Sequence, residues 1–288
     1  MVIARKRFGQ HFLEPAWVEK VVRAMDPKPD QLFIEIGPGA GALTRPLAAR
    51  AHSLVAYEID LDLAAALRRA DLENVTVIEG DVLEQLRSPL LPEYRALVVP
   101  GSRSPLVPES ASPHVPQYPG LLTLRVAGNL PYNVASPILF RLADLYAGGL
   151  PIADATVMLQ REVADRLAAK PGTGEYGVLS VLMQHVAGIE LLLKLPAGAF
   201  RPAPKVLSAL VRLRFHRPDP PVPDPIVFAA VVQAVFTRQR KTLANALRAY
   251  APAARGSIAG VLYAAGLDGG RRPETLTVAE FARLAGAL

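Results

Sequence analysis

Over the first 215 residues, short apolar runs alternate with segments whose apolar positions recur at helical spacing. Gln31–Gly37, Leu54–Ile59, Val75–Gly80, Leu121–Ala127 and Ala155–Gln160 predict buried strands, the fourth running on towards Gly128. Ala42–Arg50, Leu61–Ala70, Pro137–Tyr146, Arg161–Ala169 and Val178–Val186 predict helices. Ile189–Leu195 and Leu207–Phe215 predict two late strands. Strands separated by helices define βαβ units, so the fold class is α/β with a largely parallel sheet covered on both faces. Ligands of such sheets bind beyond the carboxyl ends of the strands.

Two stretches break the pattern. Residues 88–120 contain eight prolines with scattered Ser and Gly, which bury little and predict a long surface insertion. Arg217–Pro225 is Pro-rich enough to predict a stiff linker. Beyond it, Ile226–Arg248 predicts one helix carrying Arg238, Arg240 and Lys241 together, and Leu276–Leu288 predicts a last short helix. The division expected is a domain over 1–216, a linker over 217–225 and a small all-helical domain over 226–288.

Composition narrows the chemistry. Half of the 288 residues are hydrophobic, which is enough for a substantial core. The absence of cysteine excludes disulfides, thiolate zinc sites and a Cys nucleophile, and fits a cytoplasmic protein. No apolar run has the length of a signal peptide core behind the basic N-terminus or of a membrane span. The net charge of +6 is uneven: residues 194–288 carry 14 Lys and Arg against 5 Asp and Glu, whereas residues 1–193 carry 18 against 21. A basic C-terminal part points to a polyanionic partner.

The candidate chemistry lies at the predicted strand ends. Glu35-Ile36-Gly37-Pro38-Gly39-Ala40-Gly41 closes the first strand with glycines that let a backbone pass close to a ligand. Glu58 ends the second strand, where an acid can accept both hydroxyls of a ribose. Asp81 follows the third and can accept from an adenine amine. Such a series describes an adenosine-bearing cofactor across the top of the sheet. A dinucleotide pattern has its third glycine one place later than Gly41, where this chain has Ala42, a residue the looser pattern also tolerates. The spacing leans to S-adenosylmethionine without deciding between the two. Asn129-Leu130-Pro131-Tyr132 follows the fourth strand. The Asn129 side-chain oxygen and the Pro131 carbonyl can take the two hydrogens of an aromatic amine, and Tyr132 can stack on its ring.

These segments resemble, in order, the motifs of the ribosomal RNA adenine dimethyltransferases, the KsgA family. The resemblance rests on Gly9–Leu13, Glu35–Thr44, Gly80–Leu83, Asn129–Val134, Arg161–Ala164, Tyr176–Val181, Pro202–Val206 and Arg240–Leu243, from about Arg5 to about Arg248. It implies a class I (Rossmann-like) methyltransferase sheet, S-adenosylmethionine as donor, and N6,N6-dimethylation of two adjacent adenosines near the 3′ end of 16S rRNA in the immature small subunit. It implies that His11 and Leu13 line the cofactor's mouth through their backbone, Gly37 underlies the methionine part, Glu58 holds the ribose and Asp81 the adenine. Asn129 meets both cofactor and target amine, Tyr132 stacks on the target base, and Phe200 occupies the place of a second stacking aromatic. Arg238, Arg240, Lys241 and Arg248 are candidates for phosphate contacts. No metal is required, and a monomer is expected.

Three positions depart from the family pattern. His11 stands where Asn is more usual, Ala135 where Ser is more frequent, and residues 88–120 exceed the usual length. A large-subunit rRNA methyltransferase is an alternative, although those enzymes usually carry Ile where this chain has Leu130. A mainly non-catalytic assembly factor is another. A nicotinamide oxidoreductase finds no hydride-transfer acid and no matching second half.

Overall fold

The computed structural model describes residues 10–86, 123–248, 250 and 257–288. The Pro-rich insertion over 88–120 and Gly9 lie outside them.

Two compact units are formed. The first takes up residues 1–164 and 190–215, the second residues 165–189 and 216–288. In the first, a seven-stranded sheet has the order β4-β3-β2-β5-β6-β9-β7. Its strands are β2 (Gln31–Ile36), β3 (Ser53–Glu58), β4 (Val75–Glu79), β5 (Thr123–Asn129), β6 (Ile152–Gln160), β7 (Ala187–Leu195) and β9 (Ser208–Phe215). β2 pairs in parallel with both β3 and β5, β3 with β4, and β5 with β6, while β9 runs antiparallel to β6. The expected α/β class and mainly parallel sheet are therefore present.

The buried strands read as apolar runs because both faces are covered. Leu32, Phe33, Ile34 and Ile36 of β2 are each at most 2% exposed. The connecting helices are α2 (Thr44–Ala48), α3 (Leu61–Arg68), α4 (Val82–Gln85) and α5 (Ala135–Ala147). α2 and α3 are shorter than the helical stretches expected over Ala42–Arg50 and Leu61–Ala70. The chain leaves β2 towards β3 on one side and returns to β5 on the other. That reversal opens a crevice at the carboxyl ends of β2 and β5.

Several elements are absent from the sequence-based reading, among them α4, a first helix and a two-stranded ribbon. Helix α1 (Pro15–Met25) begins with Pro at its first turn and buries Val21, Val22 and Met25. Its cues, Pro15 followed by Val18, Val21, Val22 and Met25 at helical spacing, are legible in retrospect. A two-stranded ribbon pairs β1 (Phe12–Leu13) with β8 (Phe200–Arg201) across nearly the whole unit in sequence, setting Leu13 opposite Phe200. Strands of two residues carry no period to detect.

The second unit corrects the expected boundaries. Helices α6 (Arg161–Ala168) and α7 (Val178–Gln184) follow α5 in the chain, and residues 165–189 belong to this unit, not to the first domain, because Tyr176 and Val181 bury themselves in its helical core. The segment expected to be a linker over 217–225 is also part of it. Asp219 donates its amide to the His185 carbonyl, and Asp224 caps the next helix through its carboxylate.

The helix expected over Ile226–Arg248 is two helices, α8 (Pro225–Thr237) and α9 (Leu243–Leu247). The run Thr237–Thr242 has no apolar side chain to hold a continuous helix on the core. Phe228, Val231, Val232 and Val235 on one side and Leu243, Ala246 and Leu247 on the other fill the same cluster. The two helices are followed by α10 (Ile258–Ala265) and α11 (Val278–Gly286), the latter with a Thr277–Glu280 capping box. Among the described residues, no helix is long and apolar enough to cross a membrane.

Candidate active site

At the carboxyl rim of β2, β3, β4 and β5 lies a cleft whose lining includes His11, Leu13, Gly37, Glu58, Asp81, Asn129, Pro131 and Tyr132. Eight residues picked from five separate sequence segments are thus brought to one place. The register explains the convergence. β2 and β5 pair Ile36 with Gly128, so Gly37 and Asn129 emerge side by side. A Cβ at Gly128 would stand 2.4 Å from the Ile36 carbonyl oxygen, so only glycine permits this approach. Gly37 has φ +67°, which turns the chain beneath the cleft.

Glu58 is 4% exposed and held from both sides. Gly39 donates its amide to one carboxylate oxygen at 2.9 Å and Asp60 donates to the other at 2.8 Å. A carboxylate has about four acceptor positions, so lone pairs remain for hydroxyl donors. Burial pushes the Glu58 carboxyl up, and the two amides pull against it. Asp81 caps α4 by accepting from the Leu83 amide at 2.8 Å and also faces the cleft. Its cap role and its site role coexist in one carboxylate.

Glu35 was not singled out as a site residue by sequence reading. It lines the cleft at 1% exposure, and its Oε2 atom has no hydrogen-bond partner. Burial pushes its carboxyl up to about 8, with the Thr44 hydroxyl opposing and Glu58 adding to the rise. The signal was available: one carboxylate stands inside the apolar run Leu32–Ile36. A buried, unpartnered acid beside Gly37 suits a ligand that carries a cationic group.

At the opposite end, Asn129 donates from Nδ2 to the His11 main-chain carbonyl at 2.7 Å. A carbonyl can only accept, so the amide orientation is set by chemistry and Oδ1 remains an acceptor. Tyr132 shares a hydrogen bond with Ser208 at 2.8 Å between hydroxyl oxygens. Burial raises the Tyr132 phenol above its ordinary value, and the Ser208 bond opposes this. Ser208 lies 76 residues away, and nothing local in the sequence marks it.

Phe200 is a correction. It is absent from the cleft lining and 1% exposed, packed in a core cluster with Leu13, Val21 and Met25. The β1–β8 pairing opposite Leu13 turns its ring inward, so it serves as packing and not as a stacking surface in this structure. The basic candidates lie in the second unit. Arg238, Arg240 and Lys241 are exposed on the turn between α8 and α9, and Arg248 is exposed at the end of α9. No cluster of His, Cys, Asp or Glu among the described residues is arranged to hold a metal ion.

The family described as "Ribosomal RNA adenine dimethylase" matches residues 1–284. The chain belongs to the ribosomal RNA adenine dimethylase family. Its similarity to individual members is spread along the whole length. It is 40% identical over 286 residues to the ribosomal RNA small subunit methyltransferase A of Acinetobacter baylyi, covering 98% of this chain and 91% of that one. To the protein of the same name from Chromohalobacter salexigens it is 41% identical over 287 residues, covering 98% and 90%.

Among solved structures, a dimethyladenosine transferase from Plasmodium falciparum shares the fold. Its TM-score is 0.70 at 20% identity, over 95% of this chain and 96% of that one. The 23S rRNA methyltransferase ErmE is similar with a TM-score of 0.61 and 25% identity, over 96% and 99%. The resemblance drawn from the ordered motifs, and the class I methyltransferase fold it implied, are both borne out.

Proposed function

We propose that this dimethylase takes methyl groups from S-adenosylmethionine and places them on N6 of two adjacent adenosines near the 3′ end of small-subunit rRNA. The observation that carries the reading is the fixed orientation of Asn129. With Nδ2 committed to the His11 carbonyl, Oδ1 has one task left, to accept from a donor entering the cleft.

The donor's contribution is a methyl group already activated on a positive sulfur. The chain's own residues provide binding and alignment. Glu58 accepts ribose hydroxyls, Asp81 accepts from an adenine amine, and Glu35 faces the cationic end. These three acids, with the glycine turn at Gly37, fit an adenosine-bearing donor.

An exocyclic adenine amine is a weak nucleophile because its lone pair is delocalised into the ring. Asn129 Oδ1 and the Pro131 carbonyl accept its two hydrogens and draw the lone pair onto nitrogen. The base reaches them only out of the stack. Tyr132 offsets part of that extrusion, since stacking a base on an aromatic ring is worth about 1–3 kcal/mol. The proton released after transfer passes to solvent. The basic turn at Arg238–Lys241 grips RNA backbone.

Identity near 40% to proteins named for the small subunit, against 25% to ErmE, favours the small-subunit target. The test is incubation of the protein with labelled S-adenosylmethionine and separated, undermethylated small and large subunits. Label on two neighbouring adenosines of the small subunit is expected. Label confined to the large subunit, or no transfer at all, would overturn the reading.

A further inference from the structure

One side chain at the mouth of the cleft has a ring with no part in the reaction described above. The His11 imidazole lies on the Tyr132 ring, with centroids 5.7 Å apart and planes 23° from parallel. Its Nδ1 is 2.6 Å from the Pro202 carbonyl oxygen. Because that oxygen only accepts, Nδ1 carries the proton and donates. The same residue's main-chain carbonyl receives the Asn129 amide. His11 therefore touches the Asn129 side chain, the Tyr132 ring and the segment after β8 at once.

Tyr132 is constrained twice. Ser208 holds its hydroxyl at the far edge of the ring, and His11 covers one of its faces. Ser208 and Pro202 lie close together in the chain on either side of Ala203 to Leu207, a stretch exposed except at the buried Pro204, so both restraints are anchored in one place. A ring held by its edge and one face has a fixed plane. A purine entering the cleft then has one face of Tyr132 to meet, at a set tilt.

We propose that His11 is a positioning residue for the target base: it acts through Tyr132, fixing the plane on which the extruded adenine stacks. The inference rests on the methyl-transfer reading of the same cleft and extends it to how the base is selected. A residue without a ring at this position would keep the main-chain carbonyl that orients Asn129 but have nothing to lay on Tyr132. His11 thus adds a stacking restraint to an arrangement that is otherwise backbone-determined. An aromatic pair of this kind adds about two- to twelvefold in an equilibrium or rate.

The test combines single-turnover methylation of undermethylated small subunits, binding of an adenine-containing loop RNA, and calorimetric binding of S-adenosylmethionine. His11→Ala and His11→Asn are expected to lower kcat/KM for RNA by about two- to twelvefold with donor affinity unchanged. His11→Phe, which keeps a ring, is expected to recover most of the loss. In a Tyr132→Leu background, His11→Ala is expected to change neither RNA binding nor rate further.

Equal losses from His11→Ala in both backgrounds would overturn the inference. So would a His11→Phe variant no better than His11→Ala, or donor affinity falling in step with activity. His11–Tyr132 coupling in RNA binding without any methylation would uphold this inference and overturn the proposed function instead.

Discussion

The side-chain amide of Asn129 donates to the main-chain carbonyl of His11 at 2.7 Å, which joins the end of β5 to the residue just before β1. One hydrogen bond across 118 residues thereby decides which atom of Asn129 faces an incoming amine. Replacing the amide tests that assignment. Asn129→Ala removes the acceptor, and loss of one such preorganised group costs about 100- to 1000-fold in rate. Asn129→Asp sets a carboxylate oxygen against the His11 carbonyl and is expected to be no better. Single-turnover methylation should fall by that factor while binding of the small subunit stays near wild type. Wild-type turnover by either variant would remove Asn129 from the mechanism.

Tyr132 contributes a ring and a hydroxyl, and the two can be separated. Tyr132→Phe loses only the bond to Ser208, a change of about 0.5–1.5 kcal/mol. Tyr132→Ala loses the stacking surface as well, worth about 1–3 kcal/mol more. The expected order of kcat/KM for RNA is wild type, then Phe, then Ala, with the larger step between Phe and Ala. Equal losses would show that the hydroxyl, not the ring face, matters.

Much of this site was legible before the structure. Glu58, Asp81 and Asn129 each end an apolar run, and a strand end is where a parallel sheet presents its ligands. What was illegible arises from pairing between distant segments. Leu13 faces Phe200 only because a two-residue ribbon brings them together, and that pairing turns Phe200 inward, against the expectation of a stacking role. Ser208 became a partner of Tyr132 the same way. The single helix expected over Ile226–Arg248 failed for a different reason. Helical spacing on both sides of Arg238–Thr242 is real, but the five polar residues between offer the core nothing to hold.

Glu35 gives the fold a pH dependence. In the unfolded chain its carboxyl loses a proton near its ordinary value of 4.5, whereas burial in the fold retains it up to about 8. Between those values the folded state binds more protons than the unfolded one, so stability falls as pH rises through that window. Glu35→Gln stays neutral throughout and escapes this loss. Thermal midpoints measured without donor at about pH 5 and about pH 8 should show the variant gaining on wild type at the higher pH. A pH-independent difference between the two proteins would contradict burial of a protonated Glu35.

The basic turn predicts a salt effect separable from chemistry. Each phosphate contact contributes about 0.7–0.9 to the slope of log affinity against log salt. Replacing Arg238, Arg240 and Lys241 by Ala should reduce that slope by about 2–3 for small-subunit binding, if each meets one phosphate. Affinity for S-adenosylmethionine should be untouched. An unchanged slope would mark the three as solvated surface residues.

The claim on which all of this depends is that the rim of β2–β5 holds the methyl donor beside Asn129. A crystal structure of the protein with S-adenosylmethionine, or with its demethylated product, addresses it without any RNA. The account predicts ribose hydroxyls on Glu58, the adenine amine near Asp81, and the sulfur beside Asn129. Ligand density elsewhere, or a bound donor whose methyl faces away from Asn129 and Tyr132, would contradict it.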